Sequence, residues 1–282
     1  CNARTTSAIY TLSLHDALPI FVLSPTEVWT PRNSSLDKFD RKMVTLKWGL
    51  ANSVNNISAW LMKQFKPGAV IDVVRLMGVK SPLPAVPSLC LGVADLSLFE
   101  MVGAYGTFAN NGVFIEPTFV TRIEDKNGNV LANFKPNKTE AFNAQTAYLM
   151  LTLLKGVIKQ GTGMRIRAKY QLKNEIAGKT GTTNNHSDGW FMGLTPNLVS
   201  GTWTGGEERS IHFDNLKIGQ GSNMALPIWA LYMQKIYADT SLGISPDDKF
   251  EVPDNFNIQT TCDEDVTESS QENSYDESEF FD

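Results

Sequence analysis

Two short stretches hold side chains able to bind and polarise a peptide. In Ala177-Gly178-Lys179-Thr180-Gly181-Thr182-Thr183 a cation and several hydroxyls stand between glycines. On a strand, alternation sends Lys179, Gly181 and Thr183 to one face and Thr180 and Thr182 to the other. Glycines beside the lysine admit a second backbone, such as an extended peptide pairing with a sheet edge. The lysine then offers a fixed positive charge to a carboxylate, and the threonines add hydrogen bonds. A KTG tripeptide also arises by chance, but Asp188-Gly189-Trp190-Phe191-Met192-Gly193 and Thr195-Pro196 give this one a hairpin context. The second stretch is Ser53-Val54-Asn55. On an unbroken helix, residues two apart point about 200° from each other, so Ser53 and Asn55 cannot share one cleft. Asn52, Ser53, Asn55 and Asn56 favour caps and turns, which predicts a break between Leu46–Leu50 and Ile57–Phe65. Without the KTG strand, the same cluster reads as an exposed polar face and an N-cap.

The elements that position these stretches are legible by period. Leu46, Leu50, Val54, Ile57 and Leu61 recur at steps of three and four, a core-facing helical stripe. Leu89 to Asn111, through Leu96, Phe99, Val102, Ala104, Tyr105 and Phe108, predicts a buried helix stopped by Asn110-Asn111-Gly112. Phe114 to Glu124 and Asn129 to Phe134 flank a hairpin turn at Lys126-Asn127-Gly128. Ala144 to Lys159 is helical through Ala147, Leu151, Leu154 and Ile158, and Gly161 and Gly163 close it. Glu175 to Thr183, Asp188 to Leu194 and Leu198 to Trp203 are strand-like, with short links that favour an antiparallel meander. Ala225 to Tyr237 predicts a final helix starting near Pro227.

The ends look different. Residues 1–21 show no period that continues onward, and TLSLHDALPI resembles translated adapter sequence, so a foreign leader is expected there. From Val22 to about Asp40 the chain is polar and rich in Pro, Ser, Asn and Asp, which predicts a loop. Residues 22–245 are then the expected domain and 246–282 an acidic disordered tail, since eleven acids and no basic residue follow Lys249.

Composition narrows the function. A chain of 282 residues, 42% hydrophobic, can bury a sizeable core. With a net charge of -5 and no Lys/Arg block, nucleic acid is excluded as a partner. Apart from the tail, nineteen acids face twenty-five Lys and Arg, leaving residues 1–250 at about +6. Cys1, Cys90 and Cys262 show no CxxC or Cys/His spacing, so neither a disulfide framework nor a metal site is implied, and no cofactor is expected. The apolar run Ala17–Leu23 is far short of the roughly 18 residues a membrane span needs. Any export signal or anchor is expected upstream. His186 and His212 read as surface loop residues, Trp190, Trp203 and Trp229 as core, and Met101 and Met150 as packing.

In combination these stretches resemble the transpeptidase domain of class A penicillin-binding proteins. The resemblance rests on LKWGLANSVNNISAWLMKQF, LGVADLSLFEMVGAYGTFANNGVFIEPTFVTRIEDKNGNVL and AGKTGTTNNHSDGWFMGLTPNLVSGTWTGG, and runs from about Val22 to about Tyr237. It implies an α+β penicillin-binding-protein/β-lactamase-like fold, an antiparallel sheet flanked by helices, here without its N-terminal portion. It also implies a serine acyl-transferase with SxxK, SxN and KTG motifs around one cleft. The serine attacks a D-Ala-D-Ala peptide bond in a peptidoglycan stem peptide, the SxxK lysine accepts its proton, and an amine on a neighbouring stem receives the acyl group. β-Lactams mimic that substrate and stay attached. By the same resemblance, Ser53 relays a proton to or from the leaving group and Asn55 hydrogen-bonds the substrate amide. Lys179 and Thr180 hold the terminal carboxylate, Gly181 belongs to the same substrate-binding run, and the Thr182 N–H is half of the oxyanion hole. The Thr182 side chain is a further contact to the carboxylate.

One motif has no credible match. Ser35-Leu36-Asp37-Lys38 fits SxxK in letters, but it lies eighteen residues before Ser53, where the family has several tens, and in polar loop sequence. The nucleophile is therefore expected upstream of Val22. The chain as written is expected to be inactive, because a carboxylate clamp and oxyanion donors alone can only bind or polarise. Class A members also carry an upstream glycosyltransferase domain and a membrane anchor, which implies the periplasmic face of the bacterial inner membrane. Two alternatives stay open. One is a β-lactamase or drug sensor of the same fold, although FANNGVFIEPTFVTRI and WFMGLTPNLVSGTW resemble the crosslinking enzymes more closely. The other is a non-catalytic module that binds cell-wall peptides.

Overall fold

The computed structural model describes residues 11–13, 20–34, 43–254, 256–258 and 260. Ser35–Lys38, most of the expected leader, Cys1, Cys262 and the acids from Asp263 onward lie outside the described residues. β1 (Thr11–Ser13) is followed by a hairpin of β2 (Phe21–Ser24) and β3 (Glu27–Trp29), and β4 (Met43–Thr45) returns to pair antiparallel with β1. The sequence predicts no strand before Asp40. Phe21-Val22-Leu23 and Val28-Trp29 nonetheless put strand formers on both sides of a Pro25-Thr26 turn.

Thr45 caps α1 (Leu46–Ala51), its hydroxyl accepting the Trp48 N–H at 3.1 Å. The predicted break follows, with α2 (Asn55–Leu76) starting two residues after Ser53. At the break the Val54 N–H donates to the Gly49 carbonyl at 2.9 Å, and Ser53 takes a left-handed φ of 54°. α2 kinks at Lys66, which has φ 66° and precedes Pro67. The single helix predicted from Leu89 divides in two. A 3₁₀ turn over Pro87–Leu91 ends at Gly92, and α3 (Leu98–Ala109) starts afresh where the Ser97 hydroxyl accepts the Glu100 N–H at 3.2 Å.

The strand predicted over Phe114–Glu124 is interrupted around Pro117, which cannot donate to a ladder. It becomes β5 (Val113–Ile115) and β6 (Arg122–Glu124), the latter in a hairpin with β7 (Val130–Asn133), while β8 (Lys138–Glu140) pairs with β5. α4 (Ala144–Gln160) and α5 (Arg165–Ala168) lead to the predicted meander of β9 (Ala177–Thr182), β10 (Asp188–Thr195) and β11 (Leu198–Gly205). α6 (Leu216–Gly219) and α7 (Gly221–Ala238) complete the domain. α7 begins at Gly221, so Pro227 lies inside the helix, not in its first turn.

The sheet runs β11-β10-β9, antiparallel throughout, and has helices on both faces. Phe191, opposite Thr180, turns toward α7, where its ring meets Trp229 at 5.1 Å. On the other face Leu194 packs with Leu151 and Leu154 of α4. Trp229 is core as predicted, but Trp203 is 41% exposed, its indole N–H donating to Asp188 Oδ1 at 2.7 Å. Part of the segment 246–282, expected to be a disordered tail, packs on the domain. Phe250 is 6% exposed within the Leu151–Leu154 cluster, and Phe256 meets Tyr148 edge-on at 4.9 Å. Two aromatic rings offer enough apolar surface to hold this acidic segment against α4. No described helix is long and apolar enough to cross a membrane.

Candidate active site

Among the described residues β9 has a partner strand only on its β10 side. The Thr183 N–H donates to the Asp188 carbonyl at 3.1 Å, and backbone groups alternate in direction along a strand. The N–H groups of Thr182 and Thr180 therefore face the edge away from β10. An extended peptide finds donors there without displacing any sheet bond.

The turn between α1 and α2 comes up against this strand. The Lys179 ammonium donates to Ser53 Oγ and to the Thr180 carbonyl, the latter at 2.9 Å. Residues 126 apart in sequence thus share one hydrogen bond. Asn55 is placed differently, because its Nδ2 donates to the Arg32 carbonyl at 2.7 Å and so engages the chain ahead of α1. Gly181 lies opposite Trp190 on β10. The Thr182 hydroxyl accepts the Gly221 N–H at 3.0 Å, which ties the end of β9 to the start of α7.

Between the two walls runs a residue with no local signature. The chain leaves α4 through Gly161-Thr162-Gly163, and the Thr162 N–H donates to the Ala51 carbonyl at 3.1 Å. The Thr162 hydroxyl shares a hydrogen bond of 2.6 Å with that of Thr180. One residue therefore touches both the end of α1 and the KTG strand. Gly161 makes this possible, since a Cβ there would lie 2.2 Å from the Ala51 carbonyl oxygen.

Lys179 is half-buried, and no ion pair with a described carboxylate is found for it. Burial pushes its pKa down from the usual 10.5 to about 8. A desolvated cation beside a hydroxyl, at a strand edge with outward donors, can offer an anionic group both charge and hydrogen bonds. His186 and His212 stay outside this arrangement. The His186 carbonyl accepts the Phe213 N–H, and His212 Nδ1 lies 3.1 Å from the Phe213 carbonyl oxygen.

Residues 85–202 match the penicillin binding protein transpeptidase domain. Penicillin-binding protein 1A of Aquifex aeolicus is 32% identical over 235 residues, which cover 83% of this chain and 30% of that protein. The chain belongs to the penicillin-binding-protein transpeptidase family. Its α+β fold is that of the crystal structure of penicillin-binding protein 1A from Haemophilus influenzae. The TM-score is 0.73 at 24% identity, over 87% of this chain and 40% of that one. The PonA1 protein of Mycobacterium tuberculosis, solved in complex with penicillin V, aligns with TM-score 0.67 at 20% identity, over 87% of this chain and 66% of that one. The chain thus spans 30% of the length of the Aquifex aeolicus relative. Within its domain, Ser53 and Lys179 were legible as motifs. Thr162 was not, although the glycines on either side mark a place where the backbone passes close to something.

Proposed function

We propose that the intact protein carrying this domain is a serine DD-transpeptidase that crosslinks peptidoglycan stem peptides at the periplasmic face of the bacterial inner membrane. One contact carries the proposal, the Lys179 ammonium on Ser53 Oγ beside the open edge of β9. A D-Ala-D-Ala terminus lies along that edge with its carboxylate against Lys179 and Thr180. Its scissile carbonyl oxygen faces the Thr182 N–H, an oxyanion donor. Asn55 leaves the Arg32 carbonyl to hold the substrate amide.

The nucleophilic serine and the lysine of SxxK are supplied by a segment that this chain does not contain. The serine adds to the scissile carbonyl and gives its proton to that lysine. As the C–N bond breaks, Ser53 passes a proton to the departing D-alanine amine, and an ester remains on the serine. An amine of a neighbouring stem peptide then attacks the ester and restores the hydroxyl. A β-lactam enters by the same route and stays as the acyl-enzyme. That PonA1, a fold relative, was solved with penicillin V is consistent with this ligand class.

Labelling with a fluorescent penicillin tests the proposal. In the intact protein Lys179→Ala should slow acylation by about a hundredfold or more, with little change in melting temperature. Unchanged labelling sinks the role given to Lys179. The chain of 282 residues should take no covalent label, and a stoichiometric adduct on any of its residues would overturn the assignment of the nucleophile to another segment.

A further inference from the structure

Apart from the β9 edge, a hollow of about 440 Å³ opens between α1, α4 and the segment from Arg167 to Ile176. Lys47 enters it from α1, Lys155 and Lys159 from α4, and Arg167 from α5. Glu175 is the one acid in the lining, and it is already engaged. Its Oε2 accepts the Phe250 N–H at 3.0 Å, and its Oε1 lies 3.7 Å from the Lys155 ammonium. No acidic partner is found for Lys47 or Lys159 among the described residues.

Three of the four cations, Lys47, Lys155 and Arg167, pack against neighbouring groups. The stem of Lys47 lies across Gly156, where a Cβ would sit 3.5 Å from Lys47 Cγ in ordinary contact. The Lys155 ammonium stands 5.5 and 5.8 Å from the ring centres of Tyr148 and Phe250. One guanidinium N–H of Arg167 donates to the Leu172 carbonyl at 2.7 Å, and burial lowers the pKa of that group. A solvated basic face spreads its charges outward. Here three of the four cations are half-buried and converge on one concavity.

Partly desolvated like charges repel one another, and a single engaged carboxylate leaves most of that repulsion standing. A ligand with one negative charge would leave an excess, whereas one with two or more offsets it. The guanidinium fork and the ammonium groups also match the geometry of a tetrahedral oxyanion. We propose that this hollow binds a phosphate-type oxyanion of at least two charges, taken either free or as the head group of a lipid. None of its residues belongs to the Ser53–Lys179 site, so the proposal stands apart from the transpeptidase mechanism.

Calorimetric titration of the chain with inorganic pyrophosphate at low salt should give one-to-one binding that weakens as ionic strength rises past about 0.1 M. Lys47→Ala combined with Lys159→Ala removes the two cations for which no acidic partner is found among the described residues, and should weaken binding at least about tenfold. Glu175→Gln, which keeps an acceptor for the Phe250 N–H, should tighten it. Co-sedimentation with phosphatidylcholine vesicles containing phosphatidylglycerol, lost in the double variant, assigns the ligand to a lipid head group. Pyrophosphate binding without vesicle binding assigns it to a free oxyanion. Binding of neither, or binding that the double variant and Glu175→Gln leave unchanged, overturns the site.

Discussion

Behind Lys179 stands a three-stranded sheet whose α7 face buries Phe191, Leu226, Trp229 and Met233, each no more than 1% exposed. Behind Ser53 stand Val44, Val54 and Ile57, with Trp48, Trp60 and Leu61 only partly covered. The lysine wall takes its geometry from a strand ladder and a large core, so its side chains move only if the domain does. The serine wall takes its geometry from one turn. Ser53 sits at φ 54°, a conformation that costs an L-residue about 1–2 kcal/mol. What holds it there is the Val54 bond to Gly49 and the crossing chain at Thr162. The positions of the two groups therefore have separate causes, a global one for the ammonium and a local one for the hydroxyl.

The largest effect expected from this contrast lies on the lysine wall. Trp229→Ala empties the centre of the α7 face and strips Ser200 Oγ of its 2.8 Å indole donor, which should cost about 3–5 kcal/mol in urea unfolding. A midpoint close to that of the parent chain would mean that the sheet is not the stronger wall. Gly161→Ala comes next. The added Cβ meets backbone at Ala51, so the end of α1 must retreat, at about 1–3 kcal/mol. Hydrogen exchange should then quicken at the Val54 and Thr162 amides and stay slow along β10. Uniform quickening would instead show that the walls are one unit. Thr162→Val keeps the bond to Ala51 but drops the hydroxyl tie to Thr180, and should cost about 1 kcal/mol by the same urea assay.

How much of this was legible in the sequence depended on whether the cause was local. The break at Ser53 could be read because Asn52, Ser53, Asn55 and Asn56 prefer turns to helix interior, and the meander because short links join strand-like runs. The bounds of α3 and α7 were set by partners that period does not show. The Ser97 cap restarts one helix, and the other begins where the Gly221 N–H reaches the Thr182 hydroxyl. Phe250 was hidden in acidic sequence because its burial depends on a hydrophobic cluster assembled from α4, β9 and β10. Thr162 was hidden for a similar reason, since both of its bonds reach outside the α4 segment that the helical period describes.

The remaining effect, a slope with pH, is the most direct probe of how the walls close on each other. Lys179 titrates near 8 in the folded chain and near 10.5 when unfolded, so between those values the unfolded chain binds more protons. Stability then rises with pH across that window. The penalty for burying the charge is present in full below about 8 and is lost as pH passes 10.5. Lys179→Met has no charge to bury, so the stability of the parent chain relative to this variant should climb from pH 8 to pH 10.5 in urea titrations. A difference that stays flat over the window would mean that water reaches the ammonium and the lysine wall is not dry. If the serine wall supplies part of that dryness, the slope should shrink in a Gly161→Ala background, where the end of α1 has withdrawn. A slope unaffected by Gly161→Ala would place the whole desolvation of Lys179 within its own sheet.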